Sequence, residues 1–211
     1  MDLYVLIVKA YYLRQDFDSA SQTFPFINYN LYPRKKKVDD QLIVGSNENG
    51  ATKALSISSK EDRNIIDKAW SRPPSRNDAL VWQIRTLIEM KEYGDAAGVI
   101  NTLQNDPAFP GRLDPALEEM SAYWFYNQQM YDSEIVHLDN SLPNTIDMAD
   151  RARREFLLAQ LNEINKNLDT ASDYYDKAIR HTTDPLMDIY ANLNKAKMLK
   201  SKDSAEIDRS I

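Results

Sequence analysis

The sequence predicts an all-α fold of tandem helix–turn–helix repeats stacked into an α-solenoid. Three observations carry that prediction. A short pattern recurs four times: DFDSA at 16–20, EYGDA at 92–96, MYDSE at 130–134 and NLDTA at 167–171. Each copy has a large apolar residue at its centre (Phe17, Tyr93, Tyr131, Leu168), followed by apolar or small residues at a 3-4-3 spacing. That spacing marks one face of an α-helix. Glycine is also scarce, 5 in 211 residues, against roughly 15 at ordinary usage, which disfavours turn-rich sheets and glycine-rich phosphate loops.

The elements follow in chain order. LYVLIVKAYYL opens a first helix pair over 1–33, and its second helix carries Phe17, Ala20, Phe24 and Ile27 on one face. Pro25 lies inside that helix and is expected to kink or loosen it. Residues 34–75 read as an insertion. RKKK at 34–37 and GSNENG at 45–50 are loop-like, and ALSIS at 54–58 is short and extended. SKEDRNIIDKAW at 59–70 fits one helix, ended by Pro73-Pro74, with Ser75 or Asn77 capping the next.

The second pair, 76–109, runs from DALVWQIRTLIEM into Tyr93, Ala96, Ile100 and Leu103. The third, 110–146, begins at Asp114-Pro115, read as N-cap and first helical residue. Its second helix is damaged, because Glu134 and Ser141 fall on the stripe; Ile135, Leu138 and Leu142 supply a rotated face instead. The fourth pair, 147–183, carries Leu168, Ala171, Tyr175 and Ala178. A fifth begins at Asp184-Pro185 within 184–211. An Asp or Asn beside each turn is placed to accept from free N–H groups of the following helix. Both ends read as cut within helical patterns, so the chain is expected to be an internal piece of a longer protein.

Composition narrows the function classes. Net charge is -6, which disfavours a nucleic-acid binder, since phosphate contact needs a basic face. There is no cysteine, hence no disulfide, thiolate metal site or cysteine nucleophile. No run approaches the ~18 apolar residues of a membrane span. No HExxH, GxSxG, Walker or dinucleotide motif occurs. His137 and His181 lack ligand-spaced partners and read as surface histidines. The pair Glu118-Glu119 complements a helix dipole. No enzyme activity, metal or cofactor is expected within this chain.

The repeated spacing resembles the tetratricopeptide family, which forms right-handed α-solenoids. Tyr11, Ala20 and Phe24 match it in the first copy; Leu158, Ala159, Ala171, Tyr175 and Ala178 match in the fourth. The central residues lie 76, 38 and 37 positions apart, somewhat beyond the family's period of about 34. The resemblance implies that the first helix of each pair lines a concave groove. Its inward positions are Lys9, Tyr12, Arg85, Glu89, Tyr123, Tyr126, Asn127, Gln160 and Glu163. Tyr123 and Tyr126 are either groove contacts or packing for the next pair. Lys9, Ile84-Arg85 and Asn127 do not reproduce the clamp with which chaperone-binding members hold a C-terminal carboxylate.

A narrower resemblance rests on PSRNDALVWQIRTLIEMKEY, NDPAFPGRLDPALEEMSAYWFY, MYDSEIVHLDNSL, REFLLAQLNEI and YYDKAIRHTTDPLMDIYANLN. These are similar to the tetratricopeptide lipoproteins of Bacteroidetes gliding motility and type IX secretion, the SprE or PorW type. Glu134 departs from the pattern by standing where the repeat places Ala. The resemblance implies a periplasmic protein, lipid-anchored to the outer membrane through a cysteine outside this chain. It implies a non-enzymatic protein–protein scaffold whose partners are other machinery components. Two alternatives remain open at this point. One is a glycan-binding outer-membrane lipoprotein with tetratricopeptide helices, using Tyr123, Trp124 and Tyr126. The other is an enzyme whose catalytic domain lies outside the chain.

Overall fold

The computed structural model describes residues 2–29, 43–44, 54–55, 57–61, 75–143 and 145–210. Among these the protein is all-α, apart from one short strand pair. The chain forms two compact units, Met1–Met120 and Ser121–Ile211.

In the first unit α1 (Asp2–Leu13) pairs with α2 (Phe17–Tyr29), and α3 (Arg76–Glu89) pairs with α4 (Tyr93–Gln104). Helix α3 also packs on α1 and α2. A 3-10 turn, Gly111–Leu113, leads into α5 (Asp114–Asn127), within which the boundary between units falls. Val5, Val8, Ala20, Phe24, Ile27 and Ala79 form the α1–α2–α3 core, with Tyr11 and Trp82 packed against it. The second unit holds the end of α5, then α6 (Tyr131–Asn140), α7 (Met148–Ile164), α8 (Leu168–His181) and α9 (Pro185–Ser210). Ala122, Leu138, Leu142, Leu158 and Leu161 form one core cluster; Ala159, Ala171, Tyr175, Ala191 and Met198 form the next.

One turn geometry recurs at all four copies of the pattern. Gln15, Lys91, Gln129 and Lys166 are left-handed, with φ of 60, 62, 58 and 63°. Each donates its N–H to the carbonyl three residues back: Tyr12, Ile88, Tyr126 and Glu163. The next N–H (Asp16, Glu92, Met130, Asn167) donates five residues back, to Tyr11, Leu87, Phe125 and Asn162. This pair of bonds closes a helix by satisfying two of its free carbonyls. None of the four is glycine, although a left-handed L-residue costs roughly 1–2 kcal/mol. The two hydrogen bonds and the packed helices offset that cost.

The same frame fixes the positions that follow. The N–H of Ala20, Ala96, Glu134 and Ala171 each bonds the carbonyl four residues earlier, at Asp16, Glu92, Met130 and Asn167. The three alanines are fully buried, and so is Glu134 at 2% exposure. Four positions on, Phe24, Ile100, Leu138 and Tyr175 are buried as well. The expected rotation of the third copy is therefore corrected. Ile135 and Leu142 do join the core, but Glu134 and Ser141 stay buried on the stripe, because the turn holds their helix in the common register.

Several expectations about ends change. Asp16 caps α2 by accepting from the Ser19 N–H, and Asp184 caps α9 by accepting from the Leu186 N–H. Glu92, Met130 and Asn167, at the equivalent places, make no side-chain cap bond. Asp114 is helical itself, following the 3-10 turn, rather than an N-cap. Ser75 flanks α3 without a side-chain cap bond, and Asn77 is buried in other bonds. Helix α2 continues through Pro25 to Tyr29. Helix α9 runs 26 residues, from Pro185 to Ser210.

Within the insertion, Ala54–Leu55 pairs antiparallel with Ile43–Val44, as the extended reading of 54–58 expects. Ser59–Glu61 carry no helix, so the helix expected over 59–70 does not start there. Residues 62–70, RKKK, GSNENG and Pro73-Pro74 lie outside the described residues. Residues 57–61 are fastened to the first unit. Asn77 Nδ2 donates to the Ser59 carbonyl (2.8 Å) and to Glu61, while its Oδ1 accepts from the Ser59 N–H. Arg112 bridges Glu61 at 2.8 Å and Asp78 at 2.6 Å.

Candidate partner-binding surfaces

Four of the nine groove residues meet in the first unit. Residues 9 and 12 share a face of α1, and 82, 85 and 89 share a face of α3, by i, i+3 and i+7 spacing. Packing α3 on α1 brings these faces together. The Lys9 ammonium lies 5.1 Å from the Trp82 ring centre, and the Arg85 guanidinium lies at the same distance. Arg85 also lies 5.9 Å from the Tyr12 ring. Tyr12 meets Trp82 edge-on at 5.4 Å and donates its hydroxyl to Glu89 at 2.7 Å. Arg85 pairs with Glu119 at 3.3 Å.

These contacts hold long side chains in fixed places. A cation over an aromatic ring gains about 0.5–1 kcal/mol when exposed. The ring does not neutralise the charge of Lys9. Aromatic residues and arginine are also the types that anchor interfaces most strongly.

Trp82 and Glu119 join the cluster although the helical positions of the groove do not include them. Trp82 does carry a signal in the sequence, standing three residues before Arg85 and seven before Glu89. Glu119 reads from sequence as a partner of its helix dipole, and only the fold brings it to Arg85.

The second unit gathers its residues less closely. Tyr126 is about half exposed, with its ring 6.3 Å from that of Tyr131. Tyr123 is half-buried and Gln160 exposed. Asn127 donates to the Tyr123 carbonyl within its own helix. Glu163 accepts the Tyr175 hydroxyl at 2.9 Å, which ties it to the core. Trp124 meets Phe125 edge-on, and Phe125 stacks on the His137 ring at 5.0 Å and 14°.

The reading of both histidines as plain surface residues is corrected. His137 is half-buried under Phe125. His181 Nδ1 lies 2.6 Å from Glu155, a carboxylate 1% exposed that also accepts from Arg151. Arg154 is buried too, donating to the Ser141 carbonyl and to Thr145. Helical i, i+4 spacing joins Arg151 to Glu155, whereas His181 and Ser141 lie 26 and 13 residues from their partners and are brought there by the fold.

Among the described residues, no group of three or more His, Asp or Glu side chains is arranged to hold a metal ion. No described helix is long and apolar enough to cross a membrane. No protein-family model and no curated protein matches the chain.

Proposed function

We propose that the chain is a non-catalytic protein-interaction scaffold of tetratricopeptide type, with its helix pairs arranged as a solenoid. The reading extends to a role in the cell envelope, supporting protein secretion and gliding as a periplasmic part of a lipid-anchored protein. The envelope role rests on the sequence resemblance alone. The scaffold reading has structural support in the recurring closed turn, which gives successive helix pairs one internal frame. The observation that carries partner binding is the cluster of Lys9, Tyr12, Trp82, Arg85 and Glu89. It offers pre-ordered donors and aromatic edges without a reactive constellation. In a repeat array each pair contacts its neighbours, so such a scaffold works by presenting a stiff surface.

Capture from the solubilised envelope of the source organism, with this chain as bait, tests the reading. Secretion-machinery proteins are expected to be enriched. Lys9→Ala is expected to lower that capture at least several-fold, as is Tyr123→Ala combined with Tyr126→Ala. Both variants should keep the parent melting temperature within a few degrees. Enrichment no greater than with an unrelated acidic repeat protein would contradict the scaffold. Retention on a glycan panel, lost in the tyrosine variant, would replace it with the sugar-binding alternative.

A further inference from the structure

We propose that Glu134 makes the third helix pair a pH-sensitive joint, in which ionisation of one buried carboxyl group loosens α6 from its neighbours. The geometry comes first. At the equivalent place in the other three copies stands an alanine with no exposed surface. That small residue lets two helices approach closely. Glu134 fills the same slot, held there by the bond from its N–H to the Met130 carbonyl. It is 2% exposed, and its Oε2 has no hydrogen-bond partner among the described residues. Burying an unpaired carboxylate is costly, and the neutral acid is the form such a site tolerates.

The neighbouring ionisable groups do not relieve it. On α6 itself, Asp132 accepts from Asn165, Asp139 accepts from Tyr174, and the His137 ring lies on Phe125. From α5 in this unit the ionisable groups are Tyr123 and Tyr126. From α7, Arg154 donates to Ser141 and Thr145, Glu155 holds Arg151 and His181, and Glu163 accepts from Tyr175. Burial accordingly pushes the Glu134 carboxyl up to about 7 from an ordinary 4.5, with no neighbouring charge as a cause.

The sign follows from linkage. The folded pair holds the Glu134 proton more tightly than the opened one, so closure is tightest at or below pH 4.5. It weakens as pH rises towards about 7 and changes little above that. From pH 5.5 to 8 the opening equilibrium should rise on the order of thirtyfold. The joint is therefore stiff in acid and softens as pH rises from 4.5 to about 7, without any ligand.

Hydrogen exchange of peptides covering 131–142, corrected for intrinsic chemistry, reads this directly in the intact chain. Glu134→Gln keeps the shape without the charge, and Glu134→Ala restores the residue of the other copies. The parent should lose protection between pH 5.5 and 8, while both variants should stay flat and α2 should be unaffected in all three. Circular dichroism confirms that each variant is helical. Should Glu134→Gln fail to fold, Glu134→Ala carries the same comparison. A parent with no pH dependence in α6, or variants that keep it, would overturn the proposal.

Discussion

Replacing Tyr175 with Ala is expected to destabilise the second unit by about 3–5 kcal/mol, the range for removing a large aromatic side chain from a core. Tyr175 is fully buried, its ring meets Phe156 edge-on at 5.6 Å, and its cluster includes Ala171, Ala159, Ala191 and Met198. Few of those neighbours are large enough to collapse into the space. Glu163 also loses the hydroxyl that it accepts. Tyr175→Phe separates the two terms, since it keeps the ring and should cost only about 1 kcal/mol. Phe24→Ala should cost a similar amount to Tyr175→Ala, because Phe24 holds the equivalent position in the first unit and is 2% exposed. Urea unfolding followed by circular dichroism checks all three.

The converse change tests the register itself. Ala20→Trp, Ala96→Trp and Ala171→Trp each place an indole where the parent has no exposed surface and no room. Each should destabilise by ~1–3 kcal/mol through forced separation of packed helices. Ala10→Trp is the control, because Ala10 is exposed on α1 and surface changes usually stay within about 0.5 kcal/mol. If the three buried variants melt like that control, the alanine positions are not close-packing points and the common frame fails.

The helix pairs are legible in the sequence because their signal is local. The 3-4-3 spacing and the Ala slot repeat within a few turns of helix, so the spacing alone places Phe24, Leu103 and Tyr175 in the core. The closing turns are legible in position but not in form. A left-handed residue usually announces itself as glycine or asparagine, whereas here Gln15, Lys91, Gln129 and Lys166 take that conformation. Glu134 misleads for a related reason. Its chemistry argues for turning it outward, but the backbone bonds made by Gln129 and Met130 fix the helix start and leave it inside.

The candidate surface is half legible. The groove positions that the repeat resemblance implies include Lys9, Tyr12, Arg85 and Glu89, and these four do converge. Trp82 shares the face of Arg85 and Glu89 by its spacing, but its gathering of the two cations depends on α3 packing against α1 across an insertion. Glu163 has a contact that its helical position does not show, since it accepts the hydroxyl of the buried Tyr175.

In the proposed scaffold the face around Trp82 meets a protein partner. A photo-reactive amino acid placed at Leu13, exposed one helical turn from Lys9, and separately at Asp18, exposed on α2, leaves the Lys9 cluster intact and addresses this most directly. Irradiation in the source organism's envelope fraction should give a discrete protein adduct from position 13 and none from position 18, competed by excess parent chain but not by the Lys9→Glu chain. Adducts of equal yield from both positions, or none from position 13, would contradict it.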